Sequence, residues 1–252
     1  MNPGPEAFEL DTVVHLVSPA GMSARNLEEL RAAIAAAPSR SLFWHVAGGQ
    51  RREPWSEELP PDDFSAWVAG VVQDRETAER MSFAVQSHRG EPGALRAPLL
   101  EALDGVGGRQ RETRSAPEGG EFALLTFDSV TVSTGLTARD PDELVDVLAE
   151  ADAGAWFYHL VEQPSLGGEA ARLCDWLRAR GAQRLAAWLA ELGASGLPLE
   201  AMRRRLLQRR RRSALRRRLS AAEEHSAAER RAAARTAVEG LVRRLKGEER
   251  TA

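Results

Sequence analysis

A single cysteine, Cys174, stands in a chain of 252 residues, so no intramolecular disulfide can form and a reducing compartment is expected. Five scattered histidines show no zinc-ligand spacing, so no metal is expected, and no cofactor motif accompanies them. The glycines at Gly105, Gly107 and Gly108 lack the lysine and the strand-to-helix setting of a phosphate loop. There is no Gly-x-Ser-x-Gly elbow. No uninterrupted apolar run approaches membrane-spanning length, and Met1 to Ala7 is Pro/Gly-rich instead of signal-like. The expectation is a cytoplasmic bacterial protein in which no motif dictates a reaction, and an enzyme is the less favoured class.

Lysine is almost missing as well. Lys246 is the only one among 34 basic residues, which points to GC-rich coding as one source of the arginine density. Residues 203–252 hold 17 Lys+Arg and 6 Glu, a net of +11; residues 1–202 hold 34 − 17 = 17 basic and 37 − 6 = 31 acidic residues, a net of −14. An acidic body therefore carries a basic tail.

What the chain does contain is a block written twice. Shifting Phe8 to His45 forward by 114 positions lays it on Phe122 to His159 without a gap, and twelve of the 38 positions are identical. They include Phe8/Phe122, Gly21/Gly135, Arg25/Arg139, Glu29/Glu143, Phe43/Phe157 and His45/His159. Unrelated pairings at this composition would give roughly two to three matches, so a duplication is inferred.

In each copy a short strand is predicted, over Phe8 to Val17 and Phe122 to Val132, broken by Gly21 or Gly135 as turn residues with positive φ. A capped helix follows. Asn26 with Glu29, and Asp140 with Pro141 and Glu143, have the residue types of an N-cap and capping box. Ser41 to His45 and Ala155 to His159 are dense in aromatics and expected to be buried, as helix or as strand. Trp67 and Trp176 lie at helical spacing from other apolar residues and read as core. Further helices are expected near 64–72, 78–83, 95–103, 185–192 and 199–207. Beyond Leu207 a basic helix to about Leu219 and a second amphipathic helix ending near Gly247 are predicted, with capping boxes from Ser220 and Ser226.

These residues resemble a prokaryotic family known as domain of unknown function 5752. The likeness rests on Phe8, on Ala24-Arg25-Asn26-Leu27-Glu28-Glu29-Leu30, on Phe43-Trp44-His45 and on Asp63-Phe64-Ser65-Ala66-Trp67, and it spans roughly residues 8–207 as two tandem copies. The second copy departs from the pattern, having Leu173-Cys174-Asp175 in place of the acidic helix start. The resemblance implies no activity.

His45 and His159 are the sharpest ligand-binding or catalytic candidates, each beside an aromatic wall. No nucleophile or metal partner accompanies them, so a buried structural imidazole is the favoured reading. Arg25 and Arg139, next to helix N-termini, could hold an anion. An ion pair with the acidic body is favoured for both. Arg203, Arg204, Arg205, Arg209, Arg210, Arg211, Arg212, Arg216, Arg217 and Arg218 could neutralise nucleic-acid phosphates in a sequence-blind way, though no aromatic interleaves them for base stacking. A membrane surface is disfavoured, since the apolar face there lacks aromatics.

The fold class expected is α+β and predominantly α: two homologous units, each a short β element with about four helices, followed by a basic helical extension. The boundaries expected are 1–105 for the first unit, 106–121 for a flexible linker, 122–207 for the second unit and 208–252 for the tail. The function expected is a non-catalytic interaction or regulatory module whose basic tail contacts an acidic protein partner, with a homo-oligomer compatible. Sequence-independent nucleic-acid binding is the alternative, and an enzyme or small-ligand sensor using His45 or His159 is the weakest.

Overall fold

The computed structural model describes residues 7–51, 62–88, 94–167, 172–212, 231 and 235. The chain divides into two compact bodies, 1–204 and 205–252. Both halves expected as separate units thus lie in one body. The second body is described only at 205–212, 231 and 235, which are helical; the predicted tail helices beyond 212, with the caps at Ser220 and Ser226, fall outside the described residues apart from those two positions.

The architecture is predominantly helical α+β around one antiparallel two-stranded ribbon, β1 (Phe8–Ala24) and β2 (Phe122–Ala138). Each strand has 17 residues and is longer than the sequence predicts, because Gly21 and Gly135 do not end it. Both have φ +73°, the left-handed value that glycine adopts without penalty, and the chain passes through them and stays in the ribbon. Register shifts between Leu10/Asp11 and Pro19/Ser23 turn over the face that points inward. Hence Phe8 and Leu10 at one end, Val13 in the middle and Ala24 at the other end are all buried despite mixed parity. His15 pairs with Ser129, its counterpart 114 positions on, at the ribbon's centre.

The ribbon's ends are exchanged between the halves. Phe8 packs its ring on His159 and Trp176, with centroids 5.3 and 5.5 Å away. Phe122 packs on His45, Phe64 and Trp67 at 4.9, 5.3 and 5.7 Å. Phe122 and Leu124 belong to the same buried cluster as Leu27, Ile34, Phe64 and Met81 of the first half. Each strand therefore starts in the core of the other half.

Helices α1 (Leu27–Ala36), α2 (Ser39–Ala47), α3 (Asp63–Gly70), α4 (Arg75–Ser87), α5 (Arg96–Asp104) and α6 (Gly108–Thr113) precede β2; a 3₁₀ turn, Gly48–Arg51, follows α2. After β2 come α7 (Pro141–Glu150), α8 (Ala153–Phe157), a π segment (Tyr158–Glu162), α9 (Gln163–Leu166), α10 (Leu173–Ala179) and α11 (Gln183–Ala194), and residues 199–204 are helical. The caps form as expected. Asn26 Oδ1 accepts from the Glu29 amide at 2.8 Å while Glu29 accepts from the Arg25 amide at 2.8 Å. Asp140 and Glu143 repeat the arrangement with the amides of Glu143 and Arg139, at 2.8 and 2.7 Å.

Residues 106–121, expected as a flexible linker, are instead tied down. Besides α6, Ser115 bridges Asn26, the Ala116 amide donates to Arg25 O at 2.6 Å, and Trp67 Nε1 donates to Gly120 O at 2.7 Å. Arg111 reaches Glu28 at 2.5 Å. Long polar side chains order a segment that has little apolar surface of its own.

Candidate functional site

The two aromatic segments are helical, which resolves the helix-or-strand alternative. His45 sits in α2 and His159 in the π segment, and both are 2% exposed. His45 Nε2 accepts the Leu125 amide at 2.9 Å, and His159 Nε2 accepts the Asp11 amide at 3.0 Å. Leu125 and Asp11 are themselves 114 positions apart, and each lies beside a register shift of the ribbon. Each imidazole thus supplies an acceptor to an amide of the strand that begins the other half, where the distorted ladder needs one.

Their other nitrogens face different chemistry. His45 Nδ1 lies 2.9 Å from Asp63 Oδ2, which holds the ring in the tautomer that leaves Nε2 free to accept. At the corresponding place after α9 the second half has Arg172 and no carboxylate. Burial pushes the His159 imidazole down to about 4, partly offset by Gln163 and the Asp11 amide. His159 is therefore neutral at ordinary pH, as an acceptor for an amide must be. The unfolded chain takes up this proton near 6.5 and the folded one only near 4. Stability is accordingly expected to fall as pH drops from about 6.5, by about 3 kcal/mol on reaching pH 4. Urea unfolding of the wild type and of His159→Gln at both ends of that window measures this; the variant should lose most of the slope.

A second polar cluster lies under the middle of the ribbon. His15 Nε2 is 2.5 Å from Glu162 Oε2, and Ser129 Oγ donates to Glu162 Oε1. The side chains of His15 and Glu162 are 2% and 6% exposed. Rings of Trp44, Phe127 and Phe157 surround the His15 imidazole at 5.3, 5.0 and 5.6 Å, and Phe43 meets its counterpart Phe157 at 6.0 Å. Serine, histidine and a carboxylate come together, but the hydroxyl bonds to the carboxylate and not to the imidazole. No relay that would activate the serine is formed. Sequence reasoning missed this cluster. The available signals were a histidine in mid-strand and Glu162 as the single charge ending the apolar run Trp156 to Val161.

A cavity of about 280 Å³ lies between the halves, with Phe43, Val46 and Gln50 on one side and His159, Leu160 and Val161 on the other. Arg172, Cys174, Asp175 and Arg178 also line it. Burial pushes the Cys174 thiol up, so the group is a protonated wall residue and not a nucleophile. His15, Ser129, Glu162 and His45 are not on its lining.

The remaining sequence candidates are dispersed. Arg25 pairs with Glu121 at 3.6 Å on the surface, and Arg139 lends its backbone amide to Glu143. Neither reaches the cavity. Arg203 donates to Ala149 O at 3.2 and 2.8 Å, and Arg204 lies 3.7 Å from Glu200. Arg205, Arg209, Arg210, Arg211 and Arg212 are on helical residues of the second body, whereas Arg216, Arg217 and Arg218 fall outside the described residues. Among the described residues no cluster of His, Cys, Asp and Glu could hold a metal, and no helix is long and apolar enough to cross a membrane.

The outer face of the ribbon is apolar at its centre. Val14 and Val130 stand opposite each other in the ladder with Leu16 and Val132 as neighbours on the same face. These four are 53%, 46%, 60% and 48% exposed. An apolar patch at the centre of a rigid ribbon is unusual for a surface that meets only water.

Residues 5–210 match, in one span, the model of a family of unknown function, DUF5752. One match covers both halves, where the sequence reading placed a family copy in each; strands exchanged between cores make the pair a single unit. A comparison with curated proteins finds no match. Among solved structures, the structure of OrfY from Thermoproteus tenax is similar, with a TM-score of 0.68 and 22% identity over 82% of this chain and 94% of that chain. At that identity the likeness establishes the fold alone.

Proposed function

Because the chain belongs to DUF5752, a family of unknown function, we propose from its own residues that it is a non-catalytic protein-interaction module whose docking surface is the outer face of the ribbon. The observation that carries this reading is the apolar patch of Val14, Leu16, Val130 and Val132. The engagement of His45 and His159 in strand amides supports it, since it commits the Nε2 of both imidazoles to the fold. On this reading the two halves arose from one unit written twice, and the exchange of strands makes a stiff platform for the patch.

The occupant is a protein presenting an apolar surface rimmed by Lys and Arg. The body over 1–202 carries −14, so the body of a second copy would meet the patch with the same sign of charge. The patch also covers only on the order of a few hundred Å², well below the roughly 800 Å² per partner of a stable interface. A transient heterologous contact fits both facts. Leu16→Asp with Val130→Asp should leave the protein folded, with a loss of urea stability of about 1 kcal/mol per site from strand propensity and cross-strand pairing, since both side chains are exposed. The same pair should weaken association with the partner by about tenfold or more. Phe83→Asp, at a still more exposed site on α4, should change neither stability nor association. Unchanged binding by the double variant would remove the surface from consideration.

The +11 over residues 203–252 favours a second reading, sequence-blind nucleic-acid binding through the arginine-rich tail, in place of contact with an acidic partner. Filter retention of DNA and RNA that declines as salt rises supports it, and no retention at low salt sinks it.

A further inference from the structure

We infer that the cavity between the halves is a binding site for a small organic acid: a carboxylate, an apolar body of about a dozen non-hydrogen atoms, and a hydrogen-bond donor at its inner end. The size follows from volume. An apolar cavity of about 150 Å³ holds benzene, so about 280 Å³ accommodates roughly twice as many atoms. The apolar character follows from the walls, which are Phe43, Val46, Leu95, Leu160, Val161 and Leu189.

Two polar groups give the ligand its ends. Gln50, on the 3₁₀ turn after α2, is 9% exposed, and its Oε1 has no hydrogen-bond partner among the described residues. A buried amide oxygen left so is unfavourable, and a ligand hydroxyl or amide would satisfy it. Gln50 is on the cavity lining, so the donor would come from inside it. Of the two arginines on the lining, Arg178 is neutralised by Asp175 at 2.6 Å. Arg172 is exposed and has no acidic partner among the described residues, which leaves its guanidinium to pair with a carboxylate at the mouth. His159 meets the same space with an imidazole whose Nε2 is committed to Asp11, so it forms wall and takes no proton from the ligand.

The site also draws on both halves in an unsymmetrical way. Its polar groups have no counterpart at the matching places of the other half: Pro164 lies 114 positions after Gln50, and Asp63, four residues before Trp67, matches Arg172, four residues before Trp176. The cavity is thus unsymmetrical in its chemistry, and the ribbon face proposed for docking is not part of its lining.

Titration calorimetry on the full chain tests the inference with 3-(4-hydroxyphenyl)propanoate, 3-phenylpropanoate and the uncharged amide of the latter. The hydroxylated acid should bind saturably and more tightly than the plain acid, and both more tightly than the amide. Arg172→Gln, at an exposed position that leaves the fold intact, should weaken both acids by about tenfold and the amide little. Gln50→Leu should erase the preference for the hydroxyl while leaving the free protein as stable as before or more so. Ala190→Phe, which sets a bulky ring at an exposed position of the cavity lining, should obstruct the site and abolish binding of all three. Absence of saturable binding by either acid overturns the inference, as does binding that ignores both Arg172→Gln and Ala190→Phe.

Discussion

A fragment ending at residue 105 is expected not to fold as a monomer. It keeps every helix of the first half up to α5, yet loses Phe122 and Leu124, which complete the core around Phe64 and Trp67. Deleting one such side chain costs about 2–5 kcal/mol. Two of them, with the loss of the only strand that β1 pairs with among the described residues, take up most of the roughly 5–15 kcal/mol by which domains are stable. Phe8 meanwhile is left exposed, since its own neighbours His159 and Trp176 are gone. Circular dichroism and sedimentation should find the fragment unfolded, or paired with itself with His15 opposite His15 as the ladder's symmetry allows. Mixing it with residues 106–212 should restore cooperative unfolding. A cooperatively folded monomer of 1–105 would show that the strand exchange is dispensable.

Glu162→Ala is expected to be the most damaging single substitution, at about 3–5 kcal/mol, because it strands the buried His15 imidazole and the Ser129 hydroxyl together. The damage comes from leaving partners uncompensated and not from the worth of the cluster. Replacing Glu162 by Leu, His15 by Phe and Ser129 by Ala in one chain should therefore recover most of the loss. Urea unfolding of the single and triple variants separates the two. A loss below about 1 kcal/mol in Glu162→Ala would mean that water reaches the cluster. If the triple variant is as stable as the wild type but the ribbon patch no longer binds its partner, the cluster serves to orient the ribbon.

Local features of this fold were legible because they are written in neighbouring residues. Asn26 with Glu29 and Asp140 with Glu143 declare their helix starts, and Gly21 and Gly135 declare positive φ. The length of the strands was not legible, since the two register shifts change which parity faces inward and so erase the period-2 signal around Val13 and Ala24. Nor was the exchange, because Phe8 is equally apolar whichever half receives it. The order of 106–121 was hidden for a different reason: Arg111 and Trp67 act there through distant partners, Glu28 and Gly120. Of the site, His45 and His159 were visible through repetition. Gln50 and Arg172 were not, as each owes its role to a cavity wall assembled from both halves.

The most direct measurement of the docking surface is site-specific photocrosslinking within the cell, with a benzophenone side chain placed in turn at Leu16, Val130 and Phe83. The account predicts one common adduct at Leu16 and Val130 and none at Phe83. The purified partner from that adduct should bind the wild-type chain with an affinity that weakens as salt rises, and should lose it to Leu16→Asp with Val130→Asp. Adducts equally abundant at all three positions, or a purified partner indifferent to both salt and the ribbon substitutions, would contradict it.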